Sequence, residues 1–512
     1  MARKKSENTL RIRNEKLGIR NEIKCPFRDK ILVEKNPTIK SNPVGMKYKS
    51  YIFNVTILVM MLLLIVGCAT FYKKTQDVQS AISSGNFEQA NKLLEKDKKW
   101  AENNHRVLYY MNRGVVLFML GEYEKSNQYF NKADFYYEDY TKKFGYEALA
   151  LVTNPMTKPY KPEDFEVIMV HFYKALNFIG MNNYESALVE CRRVNIRLQQ
   201  FNEKYKENKN KYTRDAFAHN LMGIIYQAAG DYNNAFIAYR NALEIYENDY
   251  KELFGTEIPK QLKIDLMNSA QKMGFRNEVT FYEKKFGFKA EESPANTGDL
   301  VFFWMNGFGP VKSEWAFTFT NLGVKGDALM FGNNELGITY PLYIGGRSAS
   351  EQAAFKNLSV IRLAMPKYTE RKPLAQQAVL KTAKGSYPLE LAENVNAIAF
   401  QSLKDRMLRE VGSSLLRFAT KKVLEELGRK QDDNLGSIIS IVNAATEKAD
   451  TRNWQSLPYS ISYTRVALPE GEQRIQVFQT GSGFNSTNDM SVSIRKGKTT
   501  FKVFHQLASR NF

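Results

Sequence analysis

The chain is poor in residues that carry chemistry. Its 512 residues include three cysteines (Cys25, Cys68, Cys191) and four histidines (His105, His171, His219, His505). Three cysteines cannot build a disulfide framework, and no His or Cys spacing suits zinc. HExxH, G-x-S-x-G and the Walker loop are all missing. Gly307-x-Gly309-Pro310 is no phosphate loop, because Pro310 lacks an amide donor and no helix is expected after it. Asp299 and Glu314 are isolated carboxylates. The expectation is a protein that is not an enzyme, with neither metal nor cofactor. Acidic charge is also short, since 73 Lys and Arg oppose 54 Asp and Glu for a net +19. Residues 1–67 hold 14 of the basic and 5 of the acidic residues, a net of +9. The remaining +10 is spread over 445 residues and calls for no nucleic acid. What is plentiful is apolar material, 43% of residues with 13% aromatic, which excludes wholesale disorder. The length suggests about three domains.

One apolar run stands out, Tyr51–Val66, sixteen residues broken only by Asn54 and Thr56. It is shorter than the roughly twenty residues a spanning helix needs. Lys47 and Lys49 precede it and Gly67-Cys68 follow, the layout of a signal peptide. Ile65-Val66-Gly67-Cys68 resembles the bacterial lipobox, which implies cleavage before Cys68 and a covalent lipid on its sulfur. Acyl chains at about 0.8 kcal/mol per buried CH₂ would hold the chain on a membrane. Met46 begins a well-formed leader, so translation is expected to start there, with residues 1–45 a misassigned or disordered basic extension and 46–67 the signal peptide. An uncleaved anchor with a basic tail is the other reading. Ala69-Thr70 supply no Asp of the type that retains such lipoproteins in the inner membrane, and no acidic cluster follows. The expected location is the outer membrane, facing the periplasm.

Residues 68–288 carry a recurring pattern. Gly114-x-x-Leu117-x-x-x-Gly121-Glu-Tyr123-x-x-Ser126-x-x-x-Phe130-x-x-Ala133 matches Gly223-x-x-Tyr226-x-x-x-Gly230-Asp-Tyr232-x-x-Ala235-x-x-x-Tyr239-x-x-Ala242. Both resemble the tetratricopeptide repeat, in which small residues let two antiparallel helices approach and aromatics fill between them. Ala175, Phe178, Asn182, Tyr184, Ala187, Cys191 and Val194 form a third copy, Gly85–Leu94 half of an earlier one, and Gln261–Phe286 a degenerate one. Turn residues fall at 85, 121, 182, 230 and 274, so the steps of 36, 61, 48 and 44 imply insertions, notably Phe135–Asp164. His171 and His219 fall at packing positions, and Cys191 stands where its sister copies have Phe130 and Tyr239, so it should be a buried, inert thiol. First helices of such repeats line a concave groove, here Leu108, Met111, Val115 and Phe118, then Met169, Phe172, Leu176 and Ile179. An apolar groove is rarely left wet. Either a protein partner fills it or the chain's own insertions and C-terminal domain do.

Lys289–Asp299 is polar with Pro and Gly and reads as a linker. Residues 300–512 then show short apolar runs at Leu300–Trp304, Trp315–Phe319, Ile338–Ile344 and Leu358–Met365. Helical stretches follow at Asn394–Gly428 and Leu435–Ala449, and strands return at Ile461–Leu468, Arg474–Gln479, Met490–Arg495 and Thr500–His505. The fold class expected is α+β multidomain, an all-α solenoid of TPR-like repeats followed by a smaller α+β domain. Arg406, Arg409, Arg417 and Lys421 share one helical face, expected to be solvated.

Four further motifs are distinctive: Pro159-Tyr160-x-x-Glu163-Asp164-Phe165-Glu166 before His171-x-Tyr173-x-Ala175-Leu176-Asn177; Ala187-Leu188-Val189-Glu190-x-Arg192-Arg193-Val194; Asn306-Gly-x-Gly-Pro310-Val311-Lys312-x-Glu314; and Glu447-Lys-Ala-Asp450-Thr451-Arg452-x-Trp454-x-x-Leu457-Pro458. With the repeats and Cys68 they resemble a bacterial family of tetratricopeptide lipoproteins with an α+β C-terminal domain. The resemblance spans nearly all of the mature chain. No biochemical activity is attached to that family. Its genes often lie beside lipoproteins that activate penicillin-binding proteins, which implies a role in the cell envelope. The expected function is a lipid-anchored scaffold that binds an envelope protein partner. The alternatives are an accessory factor of peptidoglycan synthesis and a glycan-binding or enzymatic C-terminal domain. Asp450, Arg452 and Trp454 are expected to form either a buried ion pair capped by an indole or a ligand site. Glu190, Arg192 and Arg193 are expected to pair with Glu166 or to recognise an anion. The oligomeric state stays open.

Overall fold

The repeat turns set the geometry of the helical half. Gly85, Gly121, Asn182, Gly230 and Gly274 all have positive φ, between 56° and 83°. This left-handed conformation lets a helix end and the chain reverse. Asn86, Asn183 and Asp231 follow directly, and each accepts the backbone N–H three residues on, starting the return helix. The computed structural model describes residues 69–102, 104–143, 158–205, 209–290, 294, 296–335, 337–431 and 449–510. The run 51–66, Cys68 and most of the expected helix Leu435–Ala449 lie outside these. No described helix is long and apolar enough to cross a membrane.

Helices α1 (Ala69–Ser83) and α2 (Phe87–Lys96), α3 (Arg106–Met119) and α4 (Tyr123–Lys143), α5 (Asp164–Gly180) and α6 (Tyr184–Lys204), α7 (Ala216–Ala228) and α8 (Tyr232–Ile245) form successive hairpins. The short helix α9 (Lys251–Phe254) leads into a last hairpin of α10 (Lys260–Lys272) and α11 (Arg276–Phe286). Small-to-large pairing holds them together. Gly114 of α3 faces Phe130 of α4 and Gly223 of α7 faces Tyr239 of α8; an added Cβ on Gly114 would stand 2.6 Å from the Phe130 ring, and one on Gly223 would be tighter still. The middle copy solves the same problem with Ala175 and the smaller Cys191, both 2% exposed or less. Gly223→Ala should therefore destabilise the chain by about 1–3 kcal/mol through overpacking. Adding Tyr239→Cys recreates the middle pair, so the double variant should lose less stability in urea than the two singles summed. Additive losses would refute this packing account.

The remainder is built on three sheets. Strands β1 (Thr297–Phe308), β8 (Glu390–Glu393), β9 (Pro458–Pro469) and β12 (Thr499–Gln506) form the first, in the order β12-β1-β9-β8, with β12 parallel to β1. Strands β6 (Gln377–Thr382), β7 (Gly385–Pro388), β10 (Gly471–Gly481) and β11 (Phe484–Ile494) form the second, ordered β11-β10-β6-β7. Strands β2 (Val311–Lys325), β3 (Ala328–Asn333), β4 (Ile338–Tyr343) and β5 (Val360–Thr369) form the third, ordered β4-β3-β2-β5. Two helices accompany them, α12 (Ala349–Lys356) and the long α13 (Val395–Gln431).

Strand alternation gives β1 two apolar faces. Val301, Phe303 and Met305 join the helical core, while Leu300, Phe302 and Trp304 meet Leu380, Ile475 and Val477 of the second sheet. Helix α13 is shared in the same way. Val395, Ile398, Ala399 and Leu403 pack with the repeats, and Val411, Leu415, Ala419 and Val423 lie under the third sheet. Helices and strands together form one compact unit, Thr70–Phe512. Strand β1 begins at Thr297, within the stretch 289–299 expected to be a linker.

Candidate functional site

The concave face of the repeats is closed by the chain itself. Leu108, Met111, Val115, Phe118, Met169, Phe172, Leu176 and Ile179 are all 6% exposed or less. They share one apolar cluster with Val301, Phe303, Met305, Ile461, Tyr463, Trp454 and Leu457, and Phe501 and Val503 pack against its edge. The His505 ring meets Phe118 edge-on at 5.3 Å, and Phe217 of α7 meets Phe303 at 6.2 Å and Tyr463 at 6.4 Å. Burial lowers the His505 pKa to about 3, so its ring is neutral. Of the two readings of the groove, occupation by a protein partner is corrected here: the first sheet fills it, because β1, β9 and β12 present the continuous apolar strip that these positions need.

A polar seam runs along the same boundary. Glu163, 4% exposed, caps α5 and meets both Lys312 of β2 and Arg406 of α13. Burial alone would raise its pKa, but Arg406 and Lys312 outweigh burial and hold it at about 2. Glu166 is fully buried and accepts from the Tyr160 hydroxyl, the Glu163 amide at 2.9 Å and the Trp454 amide at 2.7 Å. Burial raises its pKa despite those bonds. Arg452, 1% exposed, pairs with Asp450 at 2.7 Å and donates to the carbonyls of Asn104 and Lys158, both at 3.1 Å. Trp454 packs on Phe130 and Tyr173, and its indole N–H reaches Ser456 at 3.0 Å. Further along, Arg465 of β9 bridges Asp265 of α10 and Asp299, each at 3.1 Å.

The charged motif residues thus divide into two groups. Asp450, Arg452, Trp454 and Glu166 join the C-terminal segment to the first hairpins. Glu190 lies elsewhere, with His171 at 2.8 Å and Lys174 and Arg193 each at 3.0 Å, all within α5 and α6. The expected pairing of Glu166 with Glu190, Arg192 and Arg193 is therefore not the arrangement found. Arg192 reaches the Tyr226 hydroxyl at 3.4 Å. Cys191 is buried, and burial pushes its thiol pKa up. The face of α13 expected to be solvated is engaged instead: Arg406 holds Glu163, and Arg409 lies 3.8 Å from the Tyr205 ring centroid and bonds Asn210 at 2.8 Å.

Sequence reasoning quoted Glu163 and Lys312 within motifs without assigning them to this seam, and it missed Asp265 and Arg465. The available signal was Glu163-x-x-Glu166, which forms a capping box at the start of α5. Gly309 and Pro310 also find their reason here. The Gly309 carbonyl accepts from Arg371 at 2.6 Å and the Pro310 carbonyl from Asn453 at 2.8 Å. Among the described residues no group of three or more His, Cys, Asp or Glu is placed to hold a metal ion.

No family model and no curated protein matches the chain. Among solved structures it is similar to MamA at 16% identity and a TM-score of 0.26, over 40% of this chain and 90% of that one. It is similar to the apo form of RapI at 16% and 0.31, over 42% and 68%. It is also similar to a Podosopora anserina kinesin light chain with nearly identical TPR-like repeats, at 12% and 0.28, over 42% and 92%.

Proposed function

We propose that this chain is a lipid-anchored scaffold of the bacterial cell envelope that binds protein partners and carries out no reaction of its own. A diacylglyceride on Cys68 would hold it on the outer membrane, facing the periplasm. The observation that carries the reading is the closed boundary between repeats and strands. The repeats use their concave face as an internal clamp, and the charged motif residues of that boundary satisfy one another. Such a body is pre-organised, and its outer faces are what it offers to an envelope protein, so binding would cost little ordering. The lipobox-like Ile65-Val66-Gly67-Cys68 supports the anchor.

In the Cys68→Ser chain, mass spectrometry should find no acyl group, and fractionation should move the protein out of the membrane pellet. A Cys68→Ser chain that stays in the membrane pellet, or a wild type that carries no acyl group, would refute the anchor. The scaffold reading itself is tested by native-membrane purification of the wild-type chain. A partner retained in fixed stoichiometry supports it; a chain recovered alone after in-cell crosslinking refutes it.

A further inference from the structure

Where the chain enters α5, the segment after α6 and one face of α13 border a small cavity. Its volume is about 210 Å³, and Lys161, Tyr205, Ser402, Arg406 and Arg409 stand in its wall. A water in the liquid takes about 30 Å³, so the space suits a small group and not a drug-sized ligand. Ser402, Arg406 and Arg409 follow one another at steps of four and three residues, which puts them on one face of α13. The Arg409 guanidinium is pinned there, 3.8 Å from the Tyr205 ring centroid and bonded to Asn210 at 2.8 Å.

Two features give this cavity a binding character. Ser402 is 6% exposed, and its hydroxyl has no hydrogen-bond partner among the described residues. Its oxygen is not sealed against protein, however, and keeps its accessible surface where the residue lines the cavity. The second feature is charge. Glu163, Asp164 and Glu410 also line the cavity, and each is engaged: Glu163 by Lys312 and Arg406, Asp164 by the Tyr205 hydroxyl at 3.3 Å and Asn210 at 2.7 Å, Glu410 by Arg406 at 2.9 Å. Lys312, Arg406 and Arg409 match these three carboxylates one for one. Lys161 in the wall and Lys204 next to the wall residue Tyr205 are the surplus. Both are exposed, and neither makes an ion pair with a described carboxylate. Desolvation beside the protein surface and then the charge of Lys161 lower the pKa of Lys204, and Asp164 offsets only part of this.

The surplus selects among ligand classes. A cation would be repelled by the two lysines. An apolar ligand would leave the Ser402 hydroxyl without an acceptor. A carboxylate would answer one of the two charges. A phosphate monoester carries about −1.5 to −2 at pH 7 and three acceptor oxygens, enough for both ammoniums, the hydroxyl and a guanidinium. We propose that the cavity bordered by α5, α6 and α13 binds a phosphate monoester, held by Lys161, Lys204 and Arg409 with a hydrogen bond from the Ser402 hydroxyl. The phosphate could be presented by a soluble ester or by a lipid that ends in one. The inference goes beyond the partner-binding role proposed above and does not rest on it.

The test is calorimetric titration of the full chain in detergent with three probes: glycerol 3-phosphate, short-chain dihexanoyl phosphatidic acid and acetate. Binding of a monoester is expected. Glycerol 3-phosphate binding shows that a soluble ester suffices, and binding of the phosphatidic acid alone shows that the phosphate is read on a lipid. Lys161→Gln with Lys204→Gln changes two exposed positions and should weaken the bound monoester at least tenfold with the melting temperature unchanged. Ser402→Ala removes a hydroxyl that no described residue uses, so it should weaken the monoester severalfold and leave the melting temperature where it was. Binding of neither monoester at millimolar concentration, acetate binding as tightly as the monoesters, or affinity indifferent to either variant would each overturn the proposal. Those failures would leave anchoring and partner capture untouched, and loss of the Cys68 lipid would leave the phosphate site intact.

Discussion

Replacing Glu163 with alanine is expected to cost about 3–5 kcal/mol, because Lys312 and Arg406 would both lose the buried carboxylate they pair with. Lys312 is 1% exposed at its side chain and cannot turn to water; Arg406, at 27%, can do so in part. Most of the loss should therefore track Lys312. Lys312→Met alone leaves Glu163 with Arg406 and should be milder. Glu163→Leu combined with Lys312→Met removes the buried pair as a unit and should recover much of the stability lost by Glu163→Ala. Urea unfolding of the four chains checks this; a double variant as unstable as Glu163→Ala would show that the ion pair is not the source. The pH behaviour has a definite sign. The folded pKa of Glu163, about 2, lies below the ordinary 4.5. Its contribution is fully present above the ordinary value and is lost as pH falls towards the folded one. The Glu163→Ala chain should accordingly show a shallower loss of stability between those two values than the wild type.

Trp454→Ala should be of similar size, about 3–5 kcal/mol, since it empties one of the largest fully buried side chains. The loss should be spread across the boundary. Phe130, Tyr173 and the Glu166 carboxylate all lean on this residue or its backbone amide. Hydrogen exchange should then quicken in α4 and α5 as well as in β9. Trp454→Phe keeps most of the volume and loses only the bond to Ser456, so it should cost far less. Exchange that quickens in β9 alone would mean that the indole does not couple the two halves.

The helical half was legible in the sequence because its geometry is local. Positive φ, helix starts and small-to-large pairing recur within single hairpins, so Asn182 could be identified as the turn residue of a copy that has no glycine there. Strands that carry a run of apolar residues were legible, the short Ile338–Tyr343 among them. Ala328–Asn333, Gln377–Thr382, Gly385–Pro388 and Glu390–Glu393 were not, because they hold too few residues to show a period, and helix Ala349–Lys356 spans barely two turns. The occupant of the groove stayed open for a different reason. Leu108 and Phe303 are each plainly core residues, but nothing in their spacing says that they are core to each other. The Arg406 face misled because charged residues at helical spacing look the same whether they face water or a buried carboxylate.

The parallel pairing of the last strand with the first one of the sheet region has a cost in time. Phe501, Val503 and His505 complete the surface that meets the repeats, yet they lie roughly 200 residues after β1. At about 5–20 residues per second, synthesis takes on the order of ten to forty seconds to span that gap. Throughout it the edge of the inner wall that Phe501 and Val503 pack against has no cover, and the surface is complete only when β12 arrives.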